Sequence, residues 1–301
     1  MTNSKVILFF LLLVNYAAPI ANNVDCNSRF SDSYKEDFKV KTVKIEGAVH
    51  NILSVKSENQ KIKVKCFTSK GVYESLEERY LKFSNTPKNI LFYTSCQYMI
   101  DLGFGNMAPL GLTIDQGEPL NRNLERNGFD ALVINDRENK LNVFSLISGK
   151  ITIEGNTFNL KEASGKGKAS FLLWAKKYNV SVFQTHLLAE NDKLLVYKYG
   201  CTNCEPRERR FLLESKNLKS GIVAQNLIQR QTNSPVTLYQ GSKDILEYFK
   251  SNGEVVNWMI NLDTGKQNSF ACFDSKGLLN TTVFNVPKLD AARSLLIYYW
   301  E

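Results

Sequence analysis

The apolar run Val255 to Leu262 ends on Asp263-Thr264-Gly265. A buried strand that delivers a carboxylate at its C-terminal end into a glycine-containing loop is where open α/β sheets bind ligands, and this makes Asp263 the first residue suited to chemistry. The segment before it belongs to the same unit: Thr237 to Lys250 has helical spacing and leads through Ser251-Asn252-Gly253 into the strand. An Asp before Thr-Gly is also a common turn or capping residue, which is the plainer account of the same position. Cys201-Thr202-Asn203-Cys204 has the spacing of half a zinc site, but no second pair of ligands follows, and His50 and His186 are the only histidines. A loop disulfide or two separate bridges explains it better. Six cysteines, Cys26, Cys66, Cys96, Cys201, Cys204 and Cys272, point to disulfides in an exported chain without fixing their pairing.

Export is the expectation from the start of the chain. Val6 to Val14 is an almost unbroken apolar run behind Lys5, followed by Ala17, Ala18 and Ala21, the build of a signal peptide over residues 1–21. The run is short for a bilayer span, and nothing later is longer, so the mature chain is expected to have no transmembrane segment and to be secreted or periplasmic. Residues 22–38 read as a lead-in and 39–301 as one domain. The formal net charge is +8, and loss of Lys5 lowers it by one. A positive balance suits acidic partners. Lys61, Lys63 and Lys65 alternate with Ile62 and Val64, the wet face of a half-buried strand rather than a binding stripe, and no nucleic-acid motif is present, so nucleic acid is set aside as a partner.

The elements that must position Asp263 are mostly strands. Lys39 to Phe67 alternates in Val40, Val43 and Ile45 and again in Ile62, Val64 and Cys66, a meander of short antiparallel strands, Val72 to Phe83 has helical spacing, and Asn89 to Thr94 is an apolar strand. Ala131 to Asn135 and Leu141 to Leu146 flank a charged turn as a hairpin, and a helix from Ala169 to Tyr178 precedes a strand from Val180 to Gln184. Further strands are expected at Leu194 to Tyr199, Arg210 to Glu214, Gly221 to Gln225, Ser269 to Phe273 and Ser294 to Tyr299, with Glu162 to Lys168 as a surface loop. The mix implies an α+β single domain with a large mixed, mostly antiparallel sheet core and a few packed helices.

Four segments, in order, resemble the phosphodiester glycosidase domain, the fold of the uncovering enzyme and its exported bacterial relatives. Phe92-Tyr93-Thr94-Ser95-Cys96-Gln97-Tyr98-Met99, with Ala108-Pro109-Leu110-Gly111-Leu112 and Gly117-Glu118-Pro119-Leu120-Asn121 behind it, resembles the family's Asn-Ala-Gly-Met-Phe turn and Pro-x-Gly-Leu strand. Val182-Phe183-Gln184-Thr185-His186-Leu187 resembles its Thr-Gln-Ser-Gly-Pro, Arg207 to Phe211 its Arg at the opening of a strand, and the segment ending on Asp263 its Leu-Asp-Gly-Gly. The likeness covers about Lys39 to Phe273. It departs at Cys96, Gln97 and Tyr98, at His186-Leu187 and at Thr264, where the family has glycine, asparagine or proline. Lost glycines remove backbone freedom and close approach to a ligand, and so imply a reshaped pocket.

The resemblance implies hydrolysis of the glycosidic bond of a sugar 1-phosphodiester, with a phosphorylated glycan or other acidic saccharide as partner and no cofactor, a divalent cation being left open. Such cleavage develops oxocarbenium-like charge managed by carboxylates, while an Arg grips the phosphate oxygens. Asp263 then supplies the carboxylate and His186 an acid or base near neutral pH. Gln184 would bond sugar hydroxyls, Arg209 or Arg210 would hold phosphate, and Gly265 and Cys96 are substrate-contacting positions. Each has a plainer account. His186 fits a hydrogen-bonded histidine at a sheet edge, Arg209 and Arg210 face opposite sides of a strand so that one stands in solvent, and Cys96 as a nucleophile yields to a disulfide or buried thiol. The alternative to an enzyme is a catalytically inactive secreted module that binds glycan or protein on the same fold.

Overall fold

The computed structural model describes residues 36–70, 76–85, 89–103, 106–126, 128–196, 205–231, 234–274 and 276–301. The expected signal segment, Cys26 and the Cys201–Cys204 motif lie outside them. A seven-stranded sheet runs in the order β1 (Phe38–Ile45), β2 (Ala48–Lys56), β17 (Val223–Arg230), β16 (Arg210–Asn217), β18 (Glu254–Leu262), β14 (Leu187–Glu190) and β15 (Lys193–Leu194). A five-stranded sheet runs β10 (Leu141–Ser145), β9 (Ala131–Asn135), β13 (Ser181–Thr185), β7 (Thr113–Asp115) and β8 (Glu118–Asn121). A four-stranded sheet runs β19 (Phe270–Cys272), β4 (Asn89–Thr94), β20 (Ser294–Trp300) and β3 (Ile62–Thr68). Two hairpins, β5 (Met99–Asp101) with β6 (Met107–Pro109) and β11 (Lys150–Ile153) with β12 (Asn156–Asn159), and the helices α1 (Leu76–Ser84), α2 (Lys166–Tyr178) and α3 (Leu238–Ser251) complete the described fold. Its class is α+β, with sheet dominant.

Strands alternate between two apolar environments, as a period of two requires of a sheet covered on both faces. On β18, Ile260 and Leu262 enter a core common to all three sheets, while Met259 faces the other way, toward α3. On β16, Leu212 takes the common core and Phe211 and Leu213 the α3 side. Val133 of β9 and Phe183 of β13 join the common core, and Leu132, Ile134 and Val182 pack on α2 through Phe171 and Trp174. Phe92 and Leu296 do the same from the four-stranded sheet, whose Tyr93, Leu295 and Ile297 lie against Leu76 and Tyr80 of α1. Three sheets thus enclose one core, and each has a helix on its outer face.

Helix α3 starts where Thr237, in extended backbone, accepts a hydrogen bond from the Gln240 amide at 3.1 Å, a side-chain cap of the kind worth about 1 kcal/mol. Its buried Leu238, Ile245, Leu246 and Phe249 recur at helical spacing and fix it on the sheet. Two expectations need correction. The stretch from Lys39 to Phe67 is not one meander, because β1 and β2 pair with each other while β3 pairs with β20 in another sheet. Every pair of named strands is antiparallel, including both neighbours of β18, so the reasoning from open parallel sheets does not account for Asp263. Its place comes from a seam between sheets.

Glu162 to Lys168 is a turn whose last residues already belong to α2. Gly167 lets the helix approach β12 so closely that a Cβ added there would lie 2.2 Å from the Asn159 carbonyl oxygen. A main-chain atom cannot move aside cheaply. Gly167→Ala is therefore expected to cost about 1–3 kcal/mol, the range for overpacked contacts, read as a lowered midpoint in urea with an unchanged slope.

Candidate functional site

The site lies where strands of the three sheets end beside one another. His186 is the single residue between β13 of the five-stranded sheet and β14 of the seven-stranded one. Its carbonyl accepts from the Asn261 amide at 3.3 Å, and Thr185 Oγ1 donates to the Asn261 carbonyl at 2.6 Å. Two residues on, the Asp263 amide donates to the Cys96 carbonyl at 3.2 Å, and Ser95 Oγ donates to the Asp263 carbonyl at 2.7 Å. The turn after β4 is thereby stitched to the end of β18. Main-chain groups freed as the strands part are satisfied across the seam, as buried backbone requires.

Asp263 is 8% exposed. Its Oδ1 accepts from the Gly265 amide at 2.9 Å, the two-residue turn that its sequence allows. Burial raises its pKa, opposed by the Gly265 amide, by the positive charge of Arg210 and by the Thr264 amide. A carboxyl poised in this way can hold or release a proton above the usual carboxylate range.

Arg210 opens β16 and is 0% exposed. Its Nε donates to Gln229 Oε1, Nη1 to Thr94 Oγ1 at 2.9 Å and, more weakly, to Ser95 Oγ and the Ser269 carbonyl at 3.3 Å, and Nη2 to Asn268 Oδ1 at 2.8 Å. The guanidinium lies over the Phe270 ring, 5.0 Å from its centroid. Burial pulls its pKa down to about 9, with Glu208 and Asp263 opposing at a distance. Arg209, on the other side of the strand, is 5% exposed and donates to the Glu205 carbonyl at 3.1 Å. Neither arginine stands in solvent, because sheet and loop cover both faces of β16 here.

Gln184 is committed elsewhere. Its Oε1 accepts from the Leu112 and Glu125 amides at 3.1 and 2.9 Å, and its Nε2 donates to the Glu125 and Phe129 carbonyls at 2.8 and 2.5 Å. A carboxamide has two donors and two acceptor positions, so no group is left for a ligand. Gln184 positions the segment from Leu112 to Phe129. Gly111 makes this possible: its φ is +79°, and a Cβ there would sit 2.7 Å from Gln184 Oε1. The Cys96 side chain is a buried thiol that hydrogen-bonds the Cys66 thiol, and this bond together with burial holds Cys66 well above the usual thiol range. Cys272 is likewise a buried thiol. A nucleophilic role for Cys96 gains nothing from this setting.

His186 sits inside the seam rather than at a sheet edge. Its Nδ1 lies 3.2 Å from the Gly128 carbonyl, its ring packs on Phe129 with centroids 4.1 Å apart, and Tyr98 stands edge-on to it at 5.4 Å. Burial lowers its pKa to about 4, with the nearby Arg209 acting in the same direction. Tyr98 also bonds Asn261 Nδ2, and burial and the charge of Asp263 both raise its hydroxyl pKa. The structure thus gathers Asp263, Arg209, Arg210 and His186 with Tyr98, Asn261 and Ser95. Sequence reasoning singled out the first four. Tyr98 carried a signal, as a bulky residue in a turn where the resembling family is small; Asn261 carried none, since its position two residues before Asp263 reads simply as strand.

The fold and site define an α+β protein of antiparallel sheets with a carboxyl, two guanidiniums and a neutral imidazole buried at their seam. Among the described residues no three His, Cys, Asp or Glu side chains gather as metal ligands, and no helix is long and apolar enough to cross a membrane. No family model matches the chain, and no curated protein matches it. Among solved structures it is similar to the catalytic domain of zebrafish N-acetylglucosamine-1-phosphodiester alpha-N-acetylglucosaminidase, auto-inhibited by its pro-peptide, at 14% identity over 88% of this chain and 82% of that one, with a TM-score of 0.47. A hypothetical protein from Synechocystis is 9% identical over 88% of this chain and 62% of its own, with a TM-score of 0.48. A Burkholderia pseudomallei protein designated as exported is 9% identical over 83% of this chain and 74% of its own, with a TM-score of 0.44. These are likenesses of chain path, and the chemistry rests on the site itself.

Burial of His50 and His186 carries a consequence for stability. Both have folded pKa values lowered from 6.5 to about 4. Between those values the unfolded chain binds more protons than the folded one, so stability is lost as pH falls from 6.5 to 4, by about 3 kcal/mol for each histidine. Asp115 and Asp263, whose pKa values burial raises, act with the opposite sign near the carboxylate range. Urea unfolding at pH 7 and pH 5 is expected to show a smaller loss on acidification in His186→Gln than in the natural chain.

Proposed function

We propose that this chain is an exported hydrolase that cleaves the glycosidic bond of a sugar 1-phosphodiester at the Asp263 seam. The observation that carries this reading is the pairing of a buried carboxyl, Asp263, with a fully buried guanidinium, Arg210, whose charge acts on it without an ion-pair contact among the described residues. Burying two such groups within reach of one another's charge costs several kcal/mol before their attraction is counted, and the carboxyl, unlike the guanidinium, has few hydrogen bonds to offset it.

In this reading Asp263 stabilises the positive charge that develops at the anomeric carbon, or carries the proton that the departing oxygen needs. Arg210 keeps the carboxyl able to ionise. Arg209, on the side of His186 and Tyr98, faces the phosphate. His186 has a low pKa and is neutral at pH 7, so it acts as a hydrogen-bond partner and weak base rather than as an acid. Gln184 is assigned no contact with sugar. Export rests on the apolar run behind Lys5.

A second reading, a secreted saccharide-binding module without turnover, draws on one feature: the Tyr98 side chain stands over Asn261 and His186, where a reacting sugar would have to enter. One experiment separates the two. Release of reducing sugar from a panel of sugar 1-phosphodiesters is expected with the natural chain and, in Asp263→Asn, to fall by about 100-fold or more, the scale of a lost acid or electrostatic group. No release from any member, by a folded protein that still binds saccharide, would establish the module instead.

A further inference from the structure

Four buried polar atoms in and beside the seam have no hydrogen-bond partner among the described residues, His186 Nε2, Asn261 Oδ1, Gln267 Oε1 and Ser269 Oγ, and the first two belong to residues bonded to each other through the main chain. Asn261 is 1% exposed and His186 is 7% exposed. An unpaired buried polar group costs about 1–3 kcal/mol, so two on neighbouring strands, joined by the Asn261 amide and the His186 carbonyl, call for a common explanation. Both side chains are directed at the same neighbour. The Asn261 carboxamide donates through Nδ2 to the Tyr98 hydroxyl, and this leaves its Oδ1 as the end without a partner. The His186 ring packs edge-on to Tyr98 and against Phe129. Tyr98 itself is half-buried and closes the group toward solvent.

We propose that Tyr98 is a swinging stopper over a saccharide subsite whose floor is Asn261 and His186, and that this subsite takes sugar hydroxyls while the phosphate lies outside it. The polarity follows from donor and acceptor bookkeeping. The Gly128 carbonyl can only accept, so the His186 Nδ1 beside it carries the proton. In a neutral ring Nε2 is then a bare acceptor. Asn261 Oδ1 is a second acceptor, and Asp263 adds an acceptor charge nearby. Acceptors attract O–H donors and repel phosphate oxygens, which have no proton to give when ionised. Arg209, whose charge is felt by both His186 and Tyr98, marks the side on which an anion would be held. The Phe129 face supplies the apolar surface on which the C–H face of a sugar ring packs. The stopper sits at the base of the β5–β6 hairpin, since Tyr98 directly precedes Met99, and the hairpin's Asp101 lies 4.0 Å from Lys266 in the loop beyond Asp263.

This inference rests on the saccharide substrate proposed above but not on turnover. The chain has only two histidines, so their ring protons can be followed one by one by NMR. In Tyr98→Ala, water reaches His186, and its pKa is expected to rise from about 4 toward 6.5 while that of His50 stays near 4. Tyr98→Phe keeps the ring over the site and should leave His186 near 4. N-acetylglucosamine at millimolar concentration should move the His186 resonances in Tyr98→Ala with a dissociation constant about tenfold or more below that of the natural chain, because the stopper's closed population is removed. Inorganic phosphate should not move them. Should Tyr98→Ala lose its dispersed spectrum, Tyr98→Leu, which keeps apolar cover with less bulk, is read for the same rise. A His186 that stays near 4 in both variants overturns the stopper, and a His186 moved by phosphate but not by sugar overturns the assignment of the subsite. Sugar binding without cleavage would defeat the hydrolase and leave the subsite standing, whereas cleavage with His186 unmoved by sugar would do the reverse.

Discussion

The seam of this protein depends on the burial of one charge. Arg210 has no exposed surface, and its guanidinium bonds the end of β4, the neighbouring β17 and the loop at 268–269. A lone charge in such surroundings would cost more than the whole stability of an ordinary domain, and here that cost is met by hydrogen bonds, by the Phe270 ring and by the fields of Asp263 and Glu208. These contacts tie the four-stranded sheet to the seven-stranded one. The four-stranded sheet cannot slide on the seven-stranded one without leaving Arg210 donors unpaired, so the turn after β4 is held against the end of β18. Asp263 inherits its place from that turn, through its amide on the Cys96 carbonyl and its carbonyl on Ser95.

A buried ion pair holds the edge strand β3 of the four-stranded sheet in a similar way. Asp115 ends β7 with no exposure, takes Arg79 of α1 at 2.9 and 3.2 Å, and accepts the Thr68 amide from the end of β3 at 3.1 Å. The Arg79 guanidinium also lies 4.5 Å from the centroid of Phe67. Helix and two sheets therefore meet on one carboxylate. Arg79 and Arg210 show why the polar core was the least legible feature of the chain. Apolar periodicity is local and marks α3, β4, β9, β18 and β20 almost to the residue, because burial of one face repeats every two or every 3.6 positions. The partner of Arg79 or Arg210 lies tens of residues away and leaves no trace in spacing.

The same limit explains the misplaced meander. Ile62, Val64 and Cys66 alternate as any half-buried strand does, and this states which side is covered without stating by what. β3 leaves its chain neighbours and pairs with β20 at the far end of the sequence, where Leu296 stands between Cys66 and Thr94. Candidate residues fared according to their chemistry. Asp263 was read from the apolar strand that ends on it, and Arg209 and Arg210 from a resemblance at the opening of a strand. Gln184 drew notice for the wrong reason: a carboxamide suited to a sugar is equally suited to four main-chain groups, and only the geometry of the loops from 111 to 129 shows which has it.

The departures from the resembling family make physical sense together rather than singly. Tyr98 and His186 stand where that family has smaller or more flexible residues, and in this chain their rings touch each other and Phe129. Thr264, in place of a glycine after the carboxylate, donates through Oγ1 to the Glu208 carbonyl at 2.7 Å and so ties the Asp263 turn to the approach of β16. Glycines replaced without compensation would leave strained turns or overpacked contacts, each costing about 1 kcal/mol or more. Gly265 remains where a Cβ would meet Asp263 Oδ1 at 3.2 Å, and Gly111 where one would strike Gln184. Close approach is thus kept at the carboxyl and at the loop anchor, while bulk lies between them, over Asn261 and His186. The rings of Tyr98, Phe129 and His186 fill the seam without loosening the turn that holds Asp263 or the loops that Gln184 anchors, because each of those is fixed by its own main-chain hydrogen bonds.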